Sequence, residues 1–259
     1  MTEEPTDKET VREMLIAKAE QHATLTAADN DAIRKATFRI RSLATEEDVV
    51  RQGERPDSAV FISRGMLARY HTLPDGDRQY LSFHIAGDMP DVQSLFLKVM
   101  DHSVSALMAS EIAMFDHRGL TQLFARRPGV AFAFWRLTLV DAAIFRQAIT
   151  NNSARDPPSR LAHLCCEQFY RAREAGIAAE MSCDLPLNQT QLSQTLGMSH
   201  ITVHRALQSL RRDRLLDLRG GKLQILDWGG LVTRAGFDPT YLHIAKESAI
   251  SARIFRGQR

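Results

Sequence analysis

Apolar residues recur at helical spacing in the stretch LGMSHITVHRALQSLRR, residues 196–212. The apolar positions of its second part are Val203, Ala206, Leu207 and Leu210. Their separation by three and four residues predicts a helix with one buried face. The opposite face carries serine, threonine, histidine and arginine, with few of the Glu–Lys pairs of an ordinary solvated helix. We therefore expect this face to contact a partner.

A tight turn and a second helix are predicted just before it. Asn188 is placed to cap a short helix over QTQLSQTLG, whose inward residues are Leu192 and Leu196. Gly197 supplies the positive φ that ends this helix, and Ser199 caps the next one. The following LLDLRGGKLQILD predicts two short strands around a basic Gly-Gly tip, which is a wing. Helix, turn, helix and wing indicate a DNA-binding domain, and a purely structural helical hairpin is the alternative.

From about residue 38 to 118 the pattern changes to short apolar runs separated by turn signals such as Gly65 and Pro74-Asp75-Gly76. Strands at such regular spacing predict a small antiparallel roll or barrel. Residues 1–25 predict a loosely attached lead helix with Val11, Met14 and Leu15 on one face. A short helix is expected to start at Thr26.

The segment 129–154 predicts a long and unusually apolar helix. Its near-heptad stripe consists of Phe134, Leu137, Val140 or Asp141, Ile144 and Ala148, while Phe132, Trp135 and Phe145 face other ways. A helix that is apolar on more than one side needs two partners, here its own domain and a second copy. A central core helix is the alternative interpretation.

These elements predict an α+β fold: an N-terminal antiparallel β-roll, a long apolar helix and a C-terminal winged helix–turn–helix. A new helix starts after the cap Asp156 and ends at Gly176, so we place the domain boundary near 151–157. Trp228 and Leu231 are expected to pack on the winged helix, and the last residues to be disordered. The predicted segments are a lead helix 1–25, a sensor domain 26–128, a dimerisation helix 129–154, a DNA-binding domain 155–235 and a tail 236–259.

Composition narrows the class of protein. The chain has 259 residues, 44% of them apolar and 25% charged, which is typical of a soluble globular protein. The net charge is +2, but residues 188–222 hold six cations against two carboxylates, a local +4. An acidic start, three late cysteines and no run of about 18 apolar residues predict a cytoplasmic chain without disulfides or membrane partner. The sequence has no P-loop, HExxH or GxSxG motif, which predicts that it is not an enzyme, and no metal site is expected.

The stretch LPLNQTQLSQTLGMSHITVHRALQSLRRDRLLDLRGGKLQILD resembles the winged helix of Crp/Fnr-type bacterial transcription regulators. EEDVVRQGERPDSAVFISRGMLARYHTLPDGDRQYLSFHIAGDMPD resembles their cyclic-nucleotide-binding-type β-roll, and the apolar helix before residue 154 resembles their dimerisation helix. The resemblance implies a β-roll of the cupin-like or cyclic-nucleotide-binding type and a long dimerisation helix. It also implies a homodimer on a near-palindromic operator in double-stranded DNA, with a signal in the β-roll setting how the recognition helices fit. It also implies RNA polymerase as a partner.

At the start of the recognition helix the family commonly has Ser-Arg-Glu-Thr-Val-x-Arg, and this chain has SHITVHR. Ser199, Thr202, Val203 and Arg205 match, and Arg205 is the best candidate to pair with guanine. His200 and Ile201 replace arginine and glutamate, so the operator of other members does not transfer. The predicted DNA-contacting residues are Gln189, Thr190, Ser199, His200, Ile201, Thr202, His204, Arg205, Gln208, Arg219 and Lys222.

In nucleotide-binding members a Gly-Glu pair holds the ribose and an arginine clamps the phosphate. Here Pro90-Asp91 and His102-Ser103 stand in their places, and a carboxylate without a neighbouring arginine is a poor anion site. Asp91, His102 and Ser103 are therefore predicted to line an effector pocket that does not take cyclic AMP. No cofactor is assigned. Two alternatives stay open: one of the β-roll histidines binds haem, or the protein has no effector.

Two further functions stay open. The winged helix of a small-ligand sensor could act as a protein-docking surface instead of a DNA reader. The second function is a redox switch through Cys165 or Cys166, although both thiols are expected to lie on the core face of their helix.

Overall fold

The computed structural model describes residues 6–244. Its helices are α1 Lys8–Glu20, α2 Ala27–Arg34, α3 His117–Arg126, α4 Pro128–Ala154, α5 Pro157–Glu174, α6 Gln189–Leu196, α7 His200–Arg212 and α8 Trp228–Ala235, with short 3₁₀ helices at Val92–Leu95 and Pro239–Leu242. Its strands are β1 Arg39–Leu43, β2 Asp48–Val50, β3 Ser58–Arg64, β4 Met66–Thr72, β5 Arg78–Ile85, β6 Ser103–Ala106, β7 Ser110–Asp116, β8 Ser182–Asp184, β9 Leu216–Arg219 and β10 Lys222–Ile225.

Two compact units divide after Asp141, inside α4. The boundary predicted near 151–157 therefore differs from the one in the structure. The reason is that the first turns of α4 contribute Val130, Ala133 and Phe134 to the core of the N-terminal unit.

Two antiparallel sheets form the N-terminal unit, in the strand orders β1-β7-β3 and β2-β6-β4-β5. This arrangement confirms the predicted antiparallel β-roll. Gly65 joins β3 to β4 with φ +92°, and a Cβ there would lie 2.2 Å from the Ser110 hydroxyl oxygen. Only glycine fits this chain reversal, since a side chain would meet both an unfavourable φ and a steric clash.

The lead helix α1 is a core element, so the prediction that it is loosely attached is wrong. Val11 and Leu15 are almost fully buried in the same apolar cluster as Phe61 and Phe115. Asp7 caps α1 by accepting hydrogen bonds from the backbone of Glu9 and Thr10. Burying four apolar side chains of one helix face ties the segment firmly to the β-roll.

In helix α4, two residues of the predicted dimer stripe, Phe134 and Asp141, are already engaged within their own unit. Phe134 is 2% exposed and its ring lies 5.0 Å from that of Phe124, so it belongs to the core of its own unit. Asp141 is not an apolar contact either, because it forms an ion pair with Arg69 of β4 at 2.5 Å. The other predicted interface residues, Leu137, Ile144 and Ala148, are half-buried.

Helix α4 is also long and apolar enough to cross a membrane, with a mean hydropathy of 1.4 over its best 18-residue window. It is the one such helix in the part of the chain that the structure describes. Its Phe134 face is packed into a protein core and Asp141 is ion-paired with a strand. These contacts fit a core helix of a folded domain better than a lipid-embedded segment.

In the C-terminal unit, α5 packs against α7 and α8, and the strand order of its sheet is β8-β10-β9. Trp228 and Leu231 of α8 are buried, as predicted. The tail differs from the prediction at its start, because Phe237 and Leu242 are buried after α8 and Tyr241 donates a hydrogen bond to Glu167 of α5. The expectation of a disordered terminus falls on residues 245–259, which lie outside the described residues.

Candidate nucleic-acid interface

The turn between α6 and α7 is built by local hydrogen bonds. The Asn188 side chain accepts from the Gln191 backbone N–H and the Gln191 side chain accepts from the Asn188 N–H, each at 2.9 Å. This reciprocal pair is a capping box. Gly197 ends α6 in the left-handed region at φ +58°, and Met198 fills the corner as a buried residue. The predicted helix–turn–helix is therefore confirmed.

Helix α7 is fixed at its N-terminus and along one face. The Ser199 hydroxyl accepts a hydrogen bond from the Thr202 backbone N–H at 3.2 Å and lies 2.9 Å from the Thr202 hydroxyl. The predicted apolar stripe is buried: Val203, Ala206, Leu207 and Leu210 are each at most 4% exposed. Because the stripe and the cap fix its rotation, α7 presents one defined outer face.

That outer face is polar and cationic. His200, His204, Arg205 and Gln208 are exposed, together with Ile201, which is 66% exposed. No residue of α7 is an aspartate or a glutamate. A helix without carboxylates, whose N-terminal end also carries the positive end of the helix dipole, is suited to a polyanion.

Ion pairs reduce the local charge that the sequence suggests. Arg211 and Arg219 both lie beside Asp217, at 2.6 and 3.1 Å, and Lys222 lies 3.0 Å from Asp184. Arg211 also donates to the backbone carbonyl of Leu218 and thereby ties α7 to strand β9. Within residues 6–244, Arg205 forms no ion pair, so its guanidinium is available for a partner.

The wing follows as β9 and β10, paired in the register Lys222 with Arg219. Gly220 and Gly221 form the turn with φ +57° and +76°, the positive values that a two-residue hairpin requires. The sequence did not predict the third strand, β8, which pairs with β10. Arg219 and Lys222 flank the turn with mostly exposed side chains.

All the predicted DNA-contacting residues lie in the C-terminal unit, on α6, on α7 and its N-cap Ser199, or on the wing. Gln189 and Thr190 are exposed in the first turn of α6, and Thr202 is half-buried in the first turn of α7. Arg214, just after α7, is an exposed cation that the predicted set did not include. It has a positive φ of 55°, which the sequence alone did not indicate.

The predicted effector residues are buried in the N-terminal unit and already hold partners. Asp91 accepts a hydrogen bond from the Val60 backbone N–H at 2.7 Å, and His102 bonds to Asp101 at 2.6 Å. The Ser103 hydroxyl accepts from the Gln52 backbone N–H at 2.9 Å. Each of the three side chains is therefore held by a neighbour within its own unit.

A buried arginine corrects the statement that Asp91 has no cationic neighbour. Arg69 of β4 is 3% exposed and donates to the carbonyl of Pro90 at 2.6 Å as well as to Asp141. Burial raises the pKa of the Asp91 carboxyl to about 7, and the positive charge of Arg69 opposes this increase only in part. One Asp91 oxygen has no hydrogen-bond partner among the described residues.

The three cysteines are buried free thiols. Burial raises the pKa of Cys165 and Cys166 above the ordinary range of a thiol, and that of Cys183 to about 12. A redox-sensing cysteine needs exposure and a lowered pKa. The arrangement therefore does not favour the redox-switch hypothesis.

Comparisons with known proteins agree with this architecture. Residues 40–127 match the model of the cyclic nucleotide-binding domain, and residues 159–234 match that of the Crp-like helix-turn-helix domain. The transcriptional activator protein FnrA of Stutzerimonas stutzeri is 22% identical over 213 residues, covering 82% of this chain and 87% of the relative. The transcriptional activator protein anr of Pseudomonas aeruginosa matches with the same identity and coverage.

Among solved structures, FixK2 from Bradyrhizobium japonicum superposes with a TM-score of 0.70 at 18% identity, covering 78% of this chain and 99% of that one. The likeness shows a shared fold. The two family models cover the β-roll and the winged helix in the order observed here. This chain accordingly belongs to the Crp/Fnr-type transcription regulators, which bind DNA and are not enzymes.

Proposed function

We propose that this regulator works as a homodimer that binds a two-fold symmetric operator, with α7 in the major groove and the wing at the phosphate backbone. The observation that carries the proposal is the outer face of α7, which has exposed histidine, arginine and glutamine side chains and no carboxylate. In helix–turn–helix proteins the N-terminal residues of the second helix reach base edges. A free guanidinium at Arg205 suits guanine O6 and N7.

The exposed apolar residues of α4 support the dimer. Phe132, Trp135 and Leu139 are 53%, 60% and 50% exposed and lie three and four residues apart. This is the spacing of a coiled-coil seam, and Ile149, ten residues further along the helix, keeps the same heptad phase. We place the interface on this stripe instead of the one that contains Phe134. Leu137, Ile144 and Ala148 stay predicted contacts at its margin.

An apolar groove adjoins the stripe within the N-terminal unit. It has a volume of about 500 Å³ and is lined on one side by Phe96, Leu97 and Phe124 and on the other by the first turns of α4. Phe96 is 76% exposed. A second copy that covers Trp135 would also shield part of this groove, which adds apolar area to the proposed interface.

Selection from a random pool of double-stranded DNA with the purified full chain tests the proposal. Enrichment of a palindrome with half-sites about one helical turn apart is expected. On the selected DNA, Arg205→Ala should lose about 1–3 kcal/mol of binding free energy and relax one base position. Lys222→Ala should weaken all sequences alike. Arg126→Ala, which removes an exposed cation from the N-terminal unit, is the matched control and should bind like the wild type.

Identical losses for Arg205→Ala and Lys222→Ala on every sequence would contradict the assigned roles. Unchanged binding of Arg205→Ala to the selected DNA would remove its assigned base contact. If no DNA sequence is enriched, the alternative in which the winged helix docks a protein is favoured. Contact with RNA polymerase and a cytoplasmic location are further expectations of this proposal.

We further infer that cyclic AMP is not the effector. A cyclic phosphate needs an uncompensated cation, whereas Arg69 is already paired with Asp141 and His102 has a pKa lowered by burial and by Arg69. Titration calorimetry of the full chain with cyclic AMP should give no heat of binding. Saturable binding that Arg69→Gln abolishes would overturn this inference.

A further inference from the structure

The outer face of α7 contains one exposed apolar residue, Ile201. Ile201 lies in the first turn with 66% of its surface exposed, while the apolar stripe of the same helix is buried. Its neighbours on the outer face, His200, His204 and Arg205, are all polar. A β-branched residue is also a weaker helix former than alanine. Exposure and conformational preference therefore both disfavour isoleucine here unless it contacts a partner.

The major groove offers such a side chain one kind of apolar partner. Guanine, cytosine and adenine present hydrogen-bonding groups at the groove edge, and thymine alone adds a methyl group, at C5. We propose that Ile201 is a specificity-determining residue that packs on the C5-methyl group of a thymine in each half-site. This inference rests on the proposed function, because it requires α7 to lie in the major groove.

The position of Arg205 fixes where that thymine lies. Ile201 and Arg205 are four residues apart, so they point to the same side of α7. They are separated by about 6 Å along the helix axis. Successive base pairs are separated by about 3.4 Å. The thymine contacted by Ile201 is therefore expected within about two base pairs of the guanine contacted by Arg205.

A substitution in the DNA tests the contact without changing the protein. Deoxyuridine keeps the base pairing of thymine and lacks only the C5-methyl group. In an operator selected with the wild-type chain, each thymine of one half-site is replaced in turn, and binding of the full chain is measured by fluorescence anisotropy. At one position near the guanine, affinity should fall about fourfold, the loss that corresponds to one unburied methyl group.

Ile201→Ala assigns that loss to its side chain. The variant should bind the thymine operator more weakly than the wild type does, and it should bind the thymine and deoxyuridine operators equally. Alanine favours the helix, and circular dichroism checks that α7 is intact. Ile177→Ala is the matched control, since Ile177 is an exposed isoleucine of the same unit outside the helix–turn–helix. It should keep the wild-type preference for thymine.

The outcomes separate this inference from the proposed function. Sequence-selective binding in which no thymine methyl matters would overturn the role of Ile201 and leave the proposed function standing. A fourfold preference that survives Ile201→Ala would assign the methyl contact to another side chain and would also overturn it. If the folded chain selects no DNA sequence at all, the proposed function itself fails, and this inference fails with it.

Discussion

Because of Asp91, the unfolding free energy of the N-terminal unit should decrease as the pH rises. The side chain is fully buried, and burial raises its pKa to about 7 from an ordinary value near 4. Between these two values the folded unit holds a proton at Asp91 that the unfolded chain releases. Stability rises with pH only where the unfolded state binds more protons, so here it should fall as pH rises. The change Asp91→Asn removes the titration and keeps the shape of the protonated acid.

The magnitude follows from the shift. One pKa unit corresponds to about 1.4 kcal/mol, so ionised Asp91 destabilises the unit by about 4 kcal/mol above pH 7. Between pH 5 and pH 8 the wild type should therefore lose about 2–3 kcal/mol of unfolding free energy through this group. Asp91→Asn should lose none of that amount. Its amide leaves a buried donor unpaired, which lowers stability by about 1–3 kcal/mol at every pH.

Urea unfolding measures both curves. The chain has two tryptophans, so a Trp228→Phe background leaves Trp135 as the fluorescent reporter of the N-terminal unit. All samples need one protein concentration, since the stability of a dimer depends on it. The wild-type curve should fall toward the flat Asp91→Asn curve, and meet or cross it, between pH 5 and pH 8. Parallel curves for the wild type and Asp91→Asn would refute the assignment of a neutral carboxyl to Asp91.

Three further predictions concern stability and reactivity. Gly65→Ala should lower the melting temperature much more than Gly76→Ala. The two glycines have nearly equal φ values of +92° and +90°, but only a Cβ at residue 65 would clash with another residue, Ser110. Equal losses would show that backbone strain alone matters. Asn188→Ala and Ser199→Ala should each destabilise the C-terminal unit by about 1 kcal/mol, measured by urea unfolding followed at Trp228, and no loss would mean that the caps are dispensable. The three buried thiols should not react with Ellman's reagent at pH 8 until the chain is denatured, and rapid labelling of the native protein would contradict their raised pKa values.

Local signals predicted the DNA reader from sequence. Asn188 and Ser199 each cap a helix within three residues, and Gly197 takes the positive φ that ends α6. The Gly220-Gly221 pair forms the turn of the wing. Each of these features depends on a residue type and on neighbours a few positions away, so the sequence carries all the information that is required.

Long-range contacts were not predictable in the same way. The ion pair of Arg69 with Asp141 joins residues 72 positions apart, and nothing in the residues around Arg69 marks it as the cation beside Asp91. Strand β8 is three residues long and joins β10 across the whole helix–turn–helix, so its sequence carries too weak a pattern. The burial of α1 likewise depends on its fit against Phe61 and Phe115 of the β-roll.

Helix α4 shows why an apolar pattern can be correct while the assigned face is wrong. It carries two apolar stripes, and periodicity alone does not say which of them meets its own domain. The structure decides through Phe134, whose ring packs against Phe124, and through Asp141, whose carboxylate is bound by Arg69. With that face turned to the β-roll, helical geometry turns Phe132 and Trp135 outward. A second copy of the chain that pairs through α4, as we propose, is therefore expected to meet the Trp135 face, because the opposite face is already covered by the β-roll.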